Sequence, residues 1–236
     1  ISDGQTHLEG WNLVWSDEFN TSEIDVTKWG YDVGTGSWGW GNGEAQYYTD
    51  NSNNSFIEDG KLVIKAIRQS FNGSEYTSAR MVTKNKGDWT YARIEVRAKL
   101  PSGIGTWPAI WLLPTDYVYG GWPNSGEIDI MEHVGFDPGT IHGTSHTDVY
   151  NWFDGAPPLG GDIVISDYDS EFHDYTIEWT EYSIKWYVDD TQFFTYYNDN
   201  QNNFETWPFN QDFHLLINLA IGGTWGGQQG IDDSIF

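Results

Sequence analysis

Three carboxylates stand within six residues of the stretch SGEIDIMEHVG, residues 125–135. Glu127, Asp129 and Glu132 are separated by isoleucine and methionine, and the isoleucines are typical of a strand. Acids that face one cleft cannot all ionise cheaply, because like charges a few ångströms apart raise at least one pKa. One acid then keeps its proton near neutral pH while another stays ionised, and this pair can perform acid and nucleophilic catalysis.

The spacing of the acids predicts an irregular strand. Glu127 and Asp129 are two residues apart, so a regular strand directs both to the same face. Glu132 lies five residues from Glu127 and would point the opposite way. A β-bulge at Ile130 and Met131 would place two residues on one step and return Glu132 to the shared face, with the isoleucine between the first two acids directed at the core.

Glycoside hydrolysis needs this division of labour between two carboxylates. One attacks the anomeric carbon and the other protonates the leaving oxygen; a separation near ~5–5.5 Å gives retention and roughly 6.5–9.5 Å gives inversion. An exposed acidic strand or a calcium site would also explain the three acids. The chain contains 14 tryptophans, more than a core needs, so we expect some of them to face a flat ligand.

The composition disfavours several classes of partner. Among 236 residues, 35 are Asp or Glu and 11 are Lys or Arg, which gives a formal net charge of −24. Such a polyanion repels nucleic acid and anionic membranes, so we expect neither as a partner. There is no cysteine and therefore no disulfide. No apolar run approaches the ~18 residues of a membrane span.

Turn residues separate short β-branched or aromatic runs, as in an all-β protein. The stretch YARIEVRAKL, residues 91–100, alternates apolar and polar residues like a half-buried antiparallel strand. Further strands are predicted in GKLVIKAI, YTIEWT, SIKWYVDDTQFFTY and HLLINLAI, with VDDT as a hairpin turn. We predict one domain over residues 1–236, a β-sandwich of two antiparallel sheets. Long loops such as DVGTGSWGWGNGEAQYYTD, PTDYVYGGWPNSG and VYNWFDGAPPLGGD are expected to shape a groove.

Seven ordered blocks resemble one enzyme family. GEIDIMEHVG is similar to the bulged Glu-x-Asp-x-x-Glu signature of glycoside hydrolase family 16. The blocks LVWSDEFN, NGEAQYYT, DGKLVIKA, GTWPAIWLLP, IHGTSH and WPFNQDFHLLINLAIGGTWGG resemble its bacterial laminarinase branch, in the same order and over nearly the whole chain. The resemblance implies a jelly-roll β-sandwich with a substrate cleft across its concave sheet. It also implies Glu127 as nucleophile, Glu132 as acid/base and Asp129 as the residue that orients the nucleophile.

Several aromatic and polar residues are expected to bind the sugar. Trp107 and Trp111 are four apart and would share a face of an extended strand, where they could stack on pyranose rings. For Trp111, a role in the core is about as good an explanation as sugar stacking. The stronger candidates for stacking are Trp107, Trp122 and Trp225. The resemblance adds three hydrogen-bonding residues: Asn42, Glu44 and Arg80.

His142 and His146 are also four residues apart. A zinc site would need further ligands at suitable spacing, and the sequence offers none. The resemblance places His146 in the cleft, beyond the acid/base. His133 follows Glu132 directly, so we expect it on the opposite face in a structural role.

A structural calcium ion, and no cofactor for catalysis, is implied by the resemblance. Its ligands would be Glu18 in the N-terminal segment, Gly60 in the DGK turn and Asp232 in the C-terminal DD pair, with Asp233 as the alternative to Asp232. Backbone carbonyls and a carboxylate are hard oxygen ligands that suit calcium. The ion would tie both ends of the chain together.

The sequence therefore predicts a secreted, monomeric enzyme that cleaves β-1,3-glucan such as laminarin from within the chain, with retention. A mixed-linkage β-1,3-1,4-glucanase on the same fold is the first alternative, and a glucan-binding lectin without turnover is the second. Enzymes acting on sulfated galactans need cations in the groove, and this chain is poor in them.

Overall fold

The computed structural model describes residues 10–153 and 155–236. Within this part of the chain, strands dominate; an irregular helical turn covers Gly39–Gly43 and a 3₁₀ helix covers Asp233–Ile235. None of the described helices is long and apolar enough to cross a membrane. The strands are β1 (Gly30–Tyr31), β2 (Gln46–Tyr48), β3 (Ser55–Glu58), β4 (Lys61–Ile64), β5 (Ile67–Phe71), β6 (Ser74–Ser78), β7 (Arg80–Val82), β8 (Asp88–Trp89), β9 (Arg93–Ala98), β10 (Thr106–Pro114), β11 (Glu127–Glu132), β12 (Thr140–His146), β13 (Leu159–Val164), β14 (His173–Trp179), β15 (Ser183–Val188), β16 (Thr191–Tyr197) and β17 (Phe213–Ile221).

Two large antiparallel sheets form the sandwich. The first contains eight strands in the order β1-β7-β17-β10-β11-β12-β13, with β8 also paired to β17. The second contains four strands in the order β16-β15-β14-β9. Smaller sheets of β2-β6-β5 and β3-β4 complete the described part, and β2 with β6 is a parallel pair. This architecture confirms the predicted all-β jelly-roll sandwich.

The core lies between the two large sheets. Ile110 and Ile128 of the eight-stranded sheet belong to one buried cluster with Ile177, Ile184 and Trp186 of the four-stranded sheet. All five side chains are at most 2% exposed. Burying each such side chain stabilises the fold by roughly 1.5–3 kcal/mol relative to leaving it in water. On β10 and β11, the residues that alternate with Ile110 and Ile128 face away from this core, and they include Trp111 and Glu127.

The strands predicted from alternation are all observed, and YARIEVRAKL forms β9 with Ile94 buried. Strand β13 differs from expectation, because the sequence around Gly160 and Gly161 reads as a loop. A Cβ on Gly160 would lie 2.5 Å from the carbonyl oxygen of Gly143, and one on Gly161 would lie 3.0 Å from Phe194. The two glycines therefore allow β12 and β16 to pack closely against β13. Paired glycines are more often found in turns, which is why the sequence predicted a loop here.

Candidate active site

Strand β11 is bulged where the spacing predicts. Glu127 pairs with His146 on β12, and Glu132 pairs with His142. The register shifts between Asp129 and Glu132, where three residues of β11 span two residues of β12. The predicted bulge is therefore confirmed, and it returns Glu132 to the face that carries Glu127.

Buried contacts hold the bulged strand in place. Ile128, Ile130 and Met131 are at most 1% exposed and belong to the core cluster. The indole nitrogen of Trp186, on the opposite sheet, donates to the backbone carbonyl of Asp129 over 2.8 Å. A bulge interrupts the regular hydrogen bonding between strands, and the bond from Trp186 gives the Asp129 carbonyl, beside the bulge, a partner. The opposing sheet thus fixes the backbone between the two glutamates.

Each glutamate receives one indole hydrogen bond. Trp122 donates from Nε1 to Glu127 Oε2 over 2.8 Å, and Trp107 donates from Nε1 to Glu132 Oε1 over 3.0 Å. A hydrogen bond with Asp129 acts to raise the pKa of Glu127, as expected when the Glu127 carboxyl is the donor. A donor aimed at a carboxylate both orients it and stabilises its ionised form.

His146 lies beside the acid pair at the start of β11. Its Nε2 is 3.1 Å from Asp129 Oδ2 and 3.8 Å from Glu127 Oε1. The expectation that His146 lies beyond the acid/base is therefore wrong, because the antiparallel register puts it opposite Glu127 and puts His142 opposite Glu132. Contact of His146 with substrate stays a prediction.

Burial and mutual repulsion raise the pKa of all three acids. Burial, followed by the charge of Asp129, raises the pKa of Glu127 to about 8. Burial, followed by the charge of Glu127, raises the pKa of Glu132 to about 7. Burial and the charge of Glu132 hold the pKa of Asp129 well above its ordinary value. The group therefore retains protons near neutral pH, as the sequence predicts.

These two values place Glu127 above Glu132, the reverse of the order expected for a nucleophile and an acid. Interacting carboxyls share their protons, so the site of each proton follows from local contacts. Asp129 is only 2% exposed and lies between the two glutamates. The hydrogen bond between Glu127 and Asp129 acts to raise the pKa of Glu127 and to lower that of Asp129, so Glu127 carries the shared proton in this arrangement. Each glutamate also accepts from one indole, Glu127 from Trp122 and Glu132 from Trp107. Glu127 becomes ionised only when this proton moves to Asp129 or leaves the group.

The four predicted tryptophans play different parts. Trp107 is 8% exposed and packs edge-on against Trp225 at 5.7 Å, so it contacts the acid and does not offer the open stacking face that was expected. Trp225 is half-buried. Trp122 is 38% exposed, with Phe153 edge-on at 6.0 Å, and suits a sugar platform. Trp111 is half-buried on the same face of β10 as Trp107.

The predicted hydrogen-bonding residues form two groups. Glu44 accepts from Asn42 Nδ2 at 3.2 Å, from Gln46 Nε2 at 2.6 Å and from Tyr48 Oη at 3.1 Å. Its charge also acts on Glu132, where it is one of the causes that raise the pKa. Glu44 is thus held rigidly and its field reaches the acid group.

Arg80 forms the second group. Its guanidinium lies 4.5 Å from the Trp40 ring centroid and 4.8 Å from that of Trp111, and its Nε is 3.0 Å from Asp32 Oδ2. A cation between two indole faces is attracted to both rings. Arg80 therefore fixes the orientation of Trp111, which also donates to Asn218 Oδ1 over 2.7 Å.

Two residues of this region were missed from the sequence. Trp40 covers Arg80, although its loop was expected only to shape the groove. Asn218 accepts from Trp111 and donates to Tyr48 Oη over 3.0 Å while 8% exposed. The signal for Asn218 was present, because it is a polar residue inside the apolar run HLLINLAI.

His133 occupies the opposite face, as expected. It is fully buried, its Nε2 accepts from the Gly139 backbone N–H at 3.2 Å, and its ring lies 4.5 Å from that of Tyr168. Burial lowers the pKa of His133 to about 4, so the ring is neutral at neutral pH. Among the described residues, the group with metal-ligand spacing joins His146 to Glu127 and Asp129, and it leaves out His142. This gives no support to a zinc site between the two histidines.

The three predicted calcium ligands, Glu18, Gly60 and Asp232, are exposed. Gly60 has φ +70° in the turn between β3 and β4. Asp232 uses Oδ1 to accept from the backbone N–H and hydroxyl of Ser234. Asp232 therefore has one oxygen outside this cap, which fits a single carboxylate ligand of a calcium ion.

Asp233, the alternative ligand, is engaged elsewhere. It lies 3.0 Å from Arg68 Nη2 and accepts a hydrogen bond from the Tyr76 hydroxyl. Both partners lie on the β5–β6 hairpin, so Asp233 ties the C-terminal turn to that hairpin. Of the two aspartates, Asp232 is the better fit for an ion.

Comparison with known proteins gives consistent matches. Residues 37–234 match the family described as "Glycosyl hydrolases family 16". A beta-glucanase of Rhodothermus marinus is 50% identical over 243 residues, which cover 100% of this chain and 84% of that protein. The X-ray structure of the laminarinase from Rhodothermus marinus matches with a TM-score of 0.92 and 51% identity, covering 96% of this chain and 92% of that one. A second match is the crystal structure of a non-specific endo-β-1,3(4)-glucanase of the same family, a mutant with 1,3-β-D-cellobiosyl-glucose at its active site. It has a TM-score of 0.92 and 42% identity, and the match covers 97% of this chain and 91% of that one.

Proposed function

The chain belongs to family 16 of the glycosyl hydrolases, and on this premise we propose that it cleaves β-1,3-glucosidic bonds inside laminarin-type glucans with retention. The observation that carries the proposal is the bulge of β11, which brings Glu127 and Glu132 to one face. The 51% identical laminarinase structure supports the choice of substrate. We name Glu127 as the nucleophile, Glu132 as the acid/base and Asp129 as the residue that orients Glu127.

In the first step, the Glu127 carboxylate attacks the anomeric carbon. Glu132 gives its proton to the glycosidic oxygen as the bond to the leaving sugar breaks. We propose that Asp129 takes the shared proton and donates it as a hydrogen bond to the attacking carboxylate, to which Trp122 also donates from Nε1. The product of this step is an ester between Glu127 and the sugar.

In the second step, Glu132 takes a proton from water, which attacks the ester and releases the sugar. The charge of Glu127 is the second cause, after burial, that raises the pKa of Glu132. Ester formation removes that charge, so the pKa of Glu132 falls and the residue becomes a base. One carboxyl can therefore serve both half-reactions.

Purified protein incubated with laminarin, lichenan and agarose tests the proposal. We expect new reducing ends from laminarin, with a rapid fall in viscosity because cuts fall inside the chain. Proton NMR of the first product should show the β-anomer. Inverted product, or release from agarose alone, would overturn the proposal.

Two variants separate the roles of the glutamates. With an aryl β-glucoside whose leaving group needs no proton, Glu132→Gln should keep the first step, whereas Glu127→Gln should lose it. Glu58→Gln, an exposed glutamate at the end of β3, serves as the matched control and should behave as wild type. Wild-type turnover by Glu127→Gln would contradict the assignment.

Mixed-linkage cleavage is a second candidate function. Its support is the 42% identical structure, which belongs to a non-specific endo-β-1,3(4)-glucanase. Lichenan hydrolysis at a rate similar to laminarin would favour this broader activity. Binding of glucan with no turnover would instead favour the lectin alternative, which the enzyme family disfavours.

We also propose that Glu18, Gly60 and Asp232 hold a structural calcium ion that stabilises the chain ends. Removing calcium with EDTA should lower Tm, and adding it back should restore Tm, since a ligand of the folded state stabilises that state. Asp232→Asn should abolish the response. An unchanged Tm in both arms would refute the calcium site.

The remaining proposals concern the state of the protein. We propose that it acts outside the cell, because its polymeric substrate is too large to cross a membrane, and that it is a monomer with one domain. Cell fractionation tests the location outside the cell, and light scattering after size exclusion tests the monomeric state. A single cooperative melting transition is expected if the protein is one domain.

A further inference from the structure

A cavity of about 410 Å³ opens among four loops, which connect β8 to β9, β10 to β11, β14 to β15 and β16 to β17. We call it the loop pocket. Three tyrosines line it, Tyr91, Tyr119 and Tyr182, together with five asparagines between positions 198 and 210. Its volume falls in the range of small-molecule sites, roughly 300–1,000 Å³. None of the residues predicted to bind substrate in the cleft lies in its wall.

The wall of the loop pocket is held by specific contacts. The rings of Tyr119 and Phe204 stack with centroids 4.9 Å apart and planes within 5°. The Tyr119 hydroxyl donates to Asn210 Oδ1 over 2.7 Å. Asn198 Nδ2 donates to the backbone carbonyl of Glu181 over 2.9 Å. A wall built this way exists before a ligand arrives, which reduces the entropy cost of binding.

Other groups in the wall remain open to a ligand. Tyr182 is 65% exposed and Tyr91 is 37% exposed, so ring surface is accessible. Trp207 also lines the pocket but is only 5% exposed, and its indole N–H is buried, so it supports the wall from behind. Accessible aromatic faces and side-chain amides therefore lie together in the wall.

The chemistry of the wall identifies the class of ligand. Glu181 is its one ionisable side chain other than tyrosine, and the wall contains no lysine, arginine or histidine. A cation-free wall on a chain of net charge −24 disfavours anionic polymers such as nucleic acid. Aromatic rings suit the apolar faces of pyranose rings, and amides can donate to and accept from sugar hydroxyls.

We propose that the loop pocket is a second binding site for a neutral β-glucan chain, outside the catalytic cleft. This inference rests on the proposed function, because it assumes that glucan is the substrate. The segment between β10 and β11 connects the two sites: it places Tyr119 in the loop pocket and Trp122 on Glu127. A polymer held at the loop pocket stays close to the cleft, which raises its effective concentration there.

Tyr182→Ala tests the second site, because an exposed side chain can be removed without disturbing the core. Tyr197→Ala is the matched control: Tyr197 is 68% exposed on β16 and does not line the loop pocket. Both are made alone and in a Glu127→Gln background. Affinity electrophoresis in laminarin gels then measures binding without turnover, and initial rates give KM and kcat on laminarin and on laminaritetraose.

We expect Tyr182→Ala to weaken laminarin binding and raise its KM by about tenfold, or about 1.4 kcal/mol. Its kcat/KM on laminaritetraose should stay at the wild-type value, since the short chain needs only the cleft. Equal laminarin binding by Tyr182→Ala and Tyr197→Ala, while wild type cleaves both glucans, would overturn this inference alone. Failure of wild type to bind or cleave either glucan would overturn the proposed function as well.

Discussion

Replacing Trp107 with phenylalanine removes the indole N–H that reaches Glu132 over 3.0 Å and keeps most of the apolar ring. The donor stabilises the ionised carboxylate, so its loss should raise the pKa of Glu132 above about 7. A hydrogen bond to a charged group contributes about 1.5–3 kcal/mol. Since about 1.36 kcal/mol corresponds to one pKa unit, the rise should be roughly one to two units.

The pH dependence of kcat/KM reports this change. Glu132 must be protonated for the first step, so its titration in the free enzyme sets the alkaline limb of the profile. A higher pKa should move that limb to higher pH. Initial rates on laminaritetraose over roughly pH 4–10 measure the limb. Because the three acids are coupled, the measured value is the apparent pKa of the group.

Trp111→Phe is the control for the loss of an indole on the same strand. Trp111 lies on the same face of β10, and its N–H donates to the neutral amide oxygen of Asn218. This variant should change KM without moving the alkaline limb. An unmoved limb in Trp107→Phe, or equal shifts in both variants, would refute the assignment of Glu132 as the acid that Trp107 tunes.

Three further predictions concern the stability and geometry of the site. The pKa of Glu127 rises on folding from 4.5 to about 8, so ionisation of this acid lowers the stability of the fold as pH increases through that window. Glu127→Gln should therefore raise Tm at pH 8, by roughly 2–4 °C per kcal/mol gained, and should have little effect below pH 4.5. Calorimetry at the two pH values measures both effects. Deleting Met131 leaves an even gap of four from Glu127, so the acid stays on the same face of a regular strand and reducing-end release should stay detectable despite a cost of about 2–5 kcal/mol. Deleting both Ile130 and Met131 leaves an odd gap of three, which turns the acid away and should abolish release from a protein that circular dichroism shows to be folded. Gly143→Ala would bring a Cβ to 2.5 Å from Trp186 and should lower the unfolding free energy by about 1–3 kcal/mol in urea, while Gly121→Ala, with no atom within 4 Å, should have almost no effect.

Much of the fold could be predicted because antiparallel strands with one buried face alternate with period two. β9 and the hairpin of β15 and β16 follow this rule, and both were found from the sequence. β13 was not, because Gly160 and Gly161 serve close packing against neighbouring chain. The need for glycine at these two positions depends on the residues that pack against them, and those residues come from distant parts of the sequence.

The sequence by itself determined that the strand must bulge if its three acids share a face, because a gap of three between Asp129 and Glu132 is incompatible with period-two alternation on one face. The catalytic roles of these acids are predictions from the same stretch. Only the tertiary structure decided which donor meets each acid. Trp107 has the size and chemistry of a sugar platform, yet strand pairing buries it against an acid 25 residues away. Burial and distant charges set the pKa of each carboxyl, and these are created when strands far apart in the chain come together.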